Sequence, residues 1–82
     1  MHYSGILVVT DPERMNACAG QIENLAGVEV RHRYPEEGRM ILVQESESVE
    51  AQEQGLRTIR SIPGVQLAEL VYHHVGQEEI QG

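Results

Sequence analysis

Apolar residues recur along the chain with two periods, one typical of strands and one typical of helices. The segment "GILVVT" (5–10) is almost continuously apolar and rich in β-branched residues, as in a strand that is buried on both faces. Asp11 and Pro12 then suit the cap and the first position of a helix that ends near Gly27. The apolar stripe of this helix recurs at three- and four-residue steps and comprises Met15, Cys18, Ala19, Ile22 and Leu25.

The second half of the chain repeats this order of elements. Segment 28–34, "VEVRHRY", alternates like a half-buried strand, and "PEEG" separates it from the nearly continuous apolar strand "RMILVQE" (39–45). Ser46 or Ser48 opens a second helix, which Pro63-Gly64 ends, and a last strand runs from Val65 to about His74. The predicted stripe of this helix comprises Val49, Gln52, Leu56, Ile59 and Ile62.

Strand-helix-strand therefore occurs twice, and this order predicts an α+β, ferredoxin-like βαββαβ sandwich. In that fold a four-stranded antiparallel sheet carries both helices on one face, with the first and third strands in the middle. We expect one ferredoxin-like peptide-binding domain over residues 1–76 and a flexible acidic tail over residues 77–82.

Both helices cover the same side of this sheet, so its other side is predicted to be bare. Gln44 and Glu69 are polar residues within apolar strands, and we assign them to the bare side because neither is expected in a core without a partner. Alternation then predicts that Tyr72 points to the helices and His73 to the bare side. The predicted binding residues on the bare side are Leu7, Val9, Met40, Leu42, Leu67, Glu69 and Val71. In the first strand the opposite choice, with Ile6 and Val8 on the bare side, stays open because both sets are apolar.

Such an apolar patch on a small protein is typical of a surface that binds a partner or a second copy of the chain. The formal net charge of −7 argues against nucleic acid as the partner and favours a cationic one. The sequence contains no apolar run long enough to span a membrane, and a single cysteine is typical of a reducing compartment. We therefore expect a cytoplasmic protein without membrane insertion, as a monomer or weak dimer.

The reactive side chains do not form a recognisable catalytic motif. His73 and His74 are neighbours in a strand, so their rings point to opposite faces and cannot easily share a metal ion. Cys18 lies on the apolar stripe of the first helix, as a buried structural thiol does. "TDPER" (10–14) contains no glycine and is not a phosphate loop. We predict no enzyme activity, no metal and no cofactor.

The chain resembles the NapD family, the cytoplasmic chaperones for assembly of the periplasmic nitrate reductase. The likeness covers nearly the whole chain and includes "ILVVTDPER", "GVEV", "MILVQESES" and above all "GVQLAELVYHH", followed by a Gln/Glu-rich tail. The resemblance implies that the partner is the twin-arginine signal peptide of the nitrate reductase catalytic subunit precursor. It also implies that binding holds back export until cofactor loading and folding are complete.

A twin-arginine peptide has an apolar segment and an arginine pair, so its binding surface requires both apolar and acidic groups. The bare side of the sheet would bury the apolar segment, as a helix or as a strand, while carboxylates meet the arginines. The candidate acids are Glu29, Glu69, Glu78 and Glu79. The alternative is a small regulatory ligand-binding domain that dimerises through the same sheet face.

Overall fold

The computed structural model describes residues 1–75, in which four antiparallel strands form one sheet. The strands are β1 (His2–Thr10), β2 (Val28–Tyr34), β3 (Arg39–Ser46) and β4 (Val65–Val75). A short 3-10 helix (Pro12–Arg14) leads into α1 (Met15–Glu23), and α2 (Val49–Arg60) connects β3 to β4. The strand order is β2-β3-β1-β4, so the predicted ferredoxin-like topology, with the first and third strands in the middle, is confirmed.

The 3-10 helix before α1 and the helix α2 both start at capping residues that the sequence indicates, whereas α1 itself begins after Arg14 without a side-chain cap. The side chain of Asp11 accepts a hydrogen bond from the Glu13 backbone N–H at 3.3 Å, and Pro12 occupies the first position of the 3-10 helix. Of the two serines that could open α2, Ser48 is the cap, because its hydroxyl accepts the Ala51 backbone N–H at 3.0 Å. These bonds satisfy N–H groups that a helix start otherwise leaves unpaired.

The hydrophobic core lies between the helices and one side of the sheet. Ile6, Val8, Met40 and Leu42 are fully buried there, and α1 and α2 cover them. The helices contribute Met15, Cys18, Ile22 and Ile59 to this core, and Ile62 joins them from the turn after α2. Within residues 1–75, no helix is long and apolar enough to cross a membrane.

Two strands contain extra residues that change their register: β4 has two, at Gln66 and Val71, and β2 has one. In β4, Leu70 pairs with Ile6 and Tyr72 pairs with Gly5, so Val71 is left without a partner across the strand pair. In β2, Arg31 is skipped in the same way. Such bulges shift the alternation of every later side chain relative to the neighbouring strand.

The orientation of β3 differs from the sequence prediction by one residue. Met40 and Leu42 are buried on the helix side, so their predicted position on the bare side is wrong. The reason is Gln44, which was assigned outward as a polar residue but is only 4% exposed beneath α2. Gly55 of α2 provides the space for the Gln44 side chain, because a Cβ at this position would overlap the amide of Gln44.

Candidate functional site

The side of the sheet opposite the helices, here called the open face, is apolar at its centre. Leu7 and Val9 of β1 lie on it, since they alternate with the buried Ile6 and Val8. Ile41 and Val43 of β3 lie beside them, because Ile41 pairs with Leu7 and each alternates with a buried neighbour. All four open-face side chains are half-buried, and no segment within residues 1–75 covers them.

Strand β4 extends this apolar surface to one edge of the sheet. Leu67 pairs with Val9 and Glu69 pairs with Leu7, which places both on the open face. Val71, the extra residue of the bulge, continues the alternation on this side and is 54% exposed. The predicted orientation of these three residues agrees with the structure, while their role in binding stays a prediction.

The bulge at Val71 reverses the predicted orientation of the next two residues. Tyr72 pairs with Gly5 and covers it on the open face, so the prediction that Tyr72 enters the core is wrong. His73 pairs with Ser4, which is buried on the helix side, so its predicted position on the bare side is also wrong. Tyr72 is 49% exposed and adds an aromatic ring to the apolar surface.

Acidic side chains lie on three strands around this apolar centre, together with Arg39, which pairs with Val9 and contacts Glu37 at 3.6 Å. Glu29 lies on β2 opposite Val43 and forms an exposed ion pair with Arg31 at 3.5 Å. Glu45 lies on β3 opposite Tyr3, and Glu69 lies on β4. Within residues 1–75, neither Glu45 nor Glu69 forms an ion pair, so both carboxylates are available to a cationic partner. The other two predicted acids, Glu78 and Glu79, lie outside the described residues.

A shallow groove joins the apolar and acidic parts of the open face. It has a volume of about 320 Å³, and its walls include Tyr3, Glu29, Val43 and Glu45, together with Arg31, which is paired with Glu29. An aromatic ring and two carboxylates around an apolar floor suit a guanidinium group, which pairs with carboxylates and stacks on aromatic rings.

The histidines form ring pairs and no metal centre is visible among residues 1–75. His2 Nδ1 and His73 Nε2 are 3.0 Å apart, and the two rings stack with centroids 5.1 Å apart. On the open face, His74 lies beside Tyr3 with ring centroids 6.3 Å apart. Over the described part of the chain, no three or more His, Cys, Asp and Glu side chains lie together as metal ligands would.

Cys18 is a buried thiol, as its position in the helical stripe predicted. Its Sγ donates to the Pro63 carbonyl oxygen at 3.4 Å. Burial raises the pKa of the Cys18 thiol above its ordinary value of 9.0, although the nearby Arg14 guanidinium opposes this change. A thiol with a raised pKa is a poor nucleophile at neutral pH.

Sequence reasoning missed several residues of the open face. Ile41, Val43 and Glu45 were missed because the orientation of β3 was inferred from the polarity of Gln44 alone. Tyr72 was missed because nothing in the sequence marks the bulge at Val71. One feature of the sequence indicated that Gln44 could be buried: Gly55 lies within the second predicted helix, and a glycine there leaves space for a neighbouring side chain.

These features define an α+β domain of the ferredoxin-like class with an exposed, apolar sheet face and acidic margins. The model of the NapD protein family matches residues 1–77, and the chain belongs to this family. No curated protein sequence gives a significant match.

Solved structures support the assignment of the fold. The chain is similar to the Tat proofreading chaperone protein NapD of E. coli, with a TM-score of 0.83 and 28% identity over 93% of this chain and 80% of that one. A hypothetical protein from Pyrococcus horikoshii has a TM-score of 0.74 and 19% identity, over 92% and 90% of the two chains. An AsnC-family transcriptional regulatory protein from Pyrococcus furiosus has a TM-score of 0.72 and 17% identity, over 95% and 55%. The last two likenesses show the fold alone.

Proposed function

We propose that this protein is a cytoplasmic proofreading chaperone that binds the twin-arginine signal peptide of the nitrate reductase catalytic subunit precursor. Binding holds back export until the precursor has its cofactor and has folded. The role is one of recognition without catalysis. Membership of the NapD family and the likeness to a Tat proofreading chaperone support this proposal.

The observation that carries the proposal is the exposed apolar surface of the open face. Residues this apolar usually face a core, yet Tyr34, Leu67, Val71 and Tyr72 are between 40% and 54% exposed on this side of the sheet. Exposed apolar patches on small proteins typically bind a partner. The apolar segment of a signal peptide gains burial there, at about 25 cal/mol per Å² of apolar surface covered.

The arginine pair of the peptide would lie at the acidic margin of the same face. The groove between Tyr3, Glu29 and Glu45 offers one arginine two carboxylates and an aromatic ring. Glu29 already contacts Arg31, so a peptide arginine must compete with this ion pair, whereas Glu45 has none among residues 1–75. Exposed ion pairs contribute only about 0–1 kcal/mol each, so the arginines set the register more than they anchor the peptide.

Calorimetric titration with the synthetic signal peptide tests this proposal. We expect Val43→Asp to weaken binding at least about 100-fold, because it places a charge at the centre of the apolar surface. Val49→Asp is the matched control, since Val49 is 48% exposed at the start of α2, where an acidic residue is favourable. Circular dichroism must show that both variants are folded. If Val43→Asp binds as tightly as Val49→Asp, the open face is not the binding site.

A further inference from the structure

Residues 1–75 contain three buried side-chain oxygens without a hydrogen-bond partner, and all three lie in one corner of the molecule. They are Ser4 Oγ, Gln44 Oε1 and Ser46 Oγ. Ser4 pairs with Gln44 across β1 and β3, and Ser46 follows Gln44 on the same, helix-facing side of the sheet. Buried polar groups are nearly always paired, so a cluster of exceptions requires an explanation.

A cavity of about 490 Å³ lies directly above this corner. Gln44 and Ser46 line it, and both residues are more than nine-tenths buried. Its remaining wall comes from the loop between α1 and β2, the start of β2 and one side of α2, including Leu25, Val28 and Ala51. A volume of this size, apolar walls and a few convergent polar atoms are typical of a small-molecule site.

Two features of the sequence at this cavity are unfavourable for stability. A glycine in the middle of a helix destabilises it by comparison with alanine, and Gly55 occupies such a position in α2. A buried amide oxygen without a partner is also unfavourable, and Gly55 is the residue that admits the Gln44 amide beneath the helix. Local choices that oppose stability are typical of functional sites.

We propose that this cavity binds a small molecule whose planar amide or amidinium group donates N–H hydrogen bonds to Gln44 Oε1 and contacts Ser46 Oγ. Both oxygens are buried in this structure, so binding requires the two side chains to turn toward the cavity that they line. The apolar part of the ligand packs against Leu25, Val28 and Ala51. Glu45 and Glu47 are among the residues that line the cavity, and within residues 1–75 no arginine lines it, which disfavours an anion. The start of α2 is already capped by Ser48, whose hydroxyl accepts the Ala51 N–H.

This site lies on the other side of the sheet from the open face, so it goes beyond signal-peptide binding. Gln44 alternates with Val43 and Glu45 along β3, so its side chain points away from the open face, although Gly27, Val28 and Glu45 line both this cavity and the groove of the open face. Substitution of Gln44 or Ser46, which line the cavity and not the groove, is therefore expected to leave the open face intact.

Three ring compounds that differ only in their polar group test the proposal: benzamide, benzamidine and benzoate. We expect benzamide or benzamidine to shift the backbone NMR signals of Gly27, Ser46 and Gly55 in a saturable manner, with a Kd in roughly the millimolar range. Benzoate is expected to bind at least about tenfold more weakly, because it has no N–H donor and carries a negative charge. Equal binding of all three compounds, or no saturable shift with any of them, would overturn the proposal and leave ordered water as the partner of these atoms.

Gln44→Met separates a binding role from a structural one. Methionine keeps the unbranched shape but has no amide, so we expect at least about tenfold weaker probe binding together with a higher melting temperature. Ser46→Ala is the second variant, should Gln44→Met fail to fold. Both variants are expected to keep wild-type affinity for the signal peptide. Unchanged probe affinity in a folded variant of either residue contradicts the assignment.

Discussion

The ring of Tyr72 lies over the backbone of Gly5 on the open face, so closely that a Cβ at Gly5 would overlap it. The two residues pair directly across β1 and β4, next to the bulge at Val71. Gly5 is therefore buried although it lies on the side of the sheet without helices. The contact with Gly5 therefore holds the Tyr72 ring against the sheet, where it forms part of the apolar surface.

This contact predicts that the effect of Gly5→Ala depends on Tyr72. Alanine in a strand is normally more favourable than glycine by roughly 0.5–1 kcal/mol, and this gain is expected in the Tyr72→Ala background. With Tyr72 present, the added methyl group displaces the ring and Gly5→Ala is expected to destabilise the fold. Urea unfolding of the two single variants and the double variant should give a coupling free energy of about 1 kcal/mol or more. Additive effects would show that the ring does not rest on Gly5.

The buried Cys18 thiol predicts a loss of stability at alkaline pH. Burial raises the pKa of this thiol in the folded state, so the folded protein holds its proton at pH values where the unfolded chain has lost it. Its contribution is complete below the unfolded pKa of about 9 and is lost as the pH rises through that value toward the folded pKa. We expect the free energy of unfolding to fall across this range.

Cys18→Ala is the control for this pH dependence, because tyrosines and amines also titrate at alkaline pH. The variant is expected to be less stable at neutral pH, since it removes a fully buried side chain from the core. Its stability should then fall less steeply above pH 9 than that of the wild type. Parallel curves for the two proteins would contradict the assignment to Cys18.

The topology could be predicted from the sequence because its signals are local. Asp11-Pro12 and Ser48 start the helices, and each Gly-Val after a helix starts a strand, whatever the rest of the chain does. The orientation of β3 could not be predicted in this way, because its residues are apolar on both faces. Only the packing of Gln44 against Gly55 shows which side of the sheet Gln44 faces. The orientation of Tyr72 depends on the bulge, which is a property of the strand pair rather than of β4 alone.

The acidic margin predicts that peptide association slows as salt concentration rises. Attraction between a chain of charge −7 and a dicationic peptide segment increases the on-rate, and salt screens it. In stopped-flow measurements at low salt, Glu45→Gln is expected to lower the on-rate roughly twofold or more and to reduce its salt dependence. Glu53→Gln, an exposed position on α2, is the matched control with the same change of charge. An on-rate that does not respond to salt would remove the electrostatic argument.

The same charge makes self-association through the open face unfavourable, and this predicts a monomer. Two copies stacked face to face would each bring a net charge of −7 and the carboxylates of Glu45 and Glu69 to one interface. Light scattering after size exclusion is expected to give the mass of one chain at micromolar concentration and low salt. Salt dependence distinguishes peptide binding from self-association through this face. Screening weakens binding of a cationic peptide but favours a dimer of acidic chains. A stable dimer at low salt that signal peptide cannot dissociate would instead support the dimeric ligand-binding alternative.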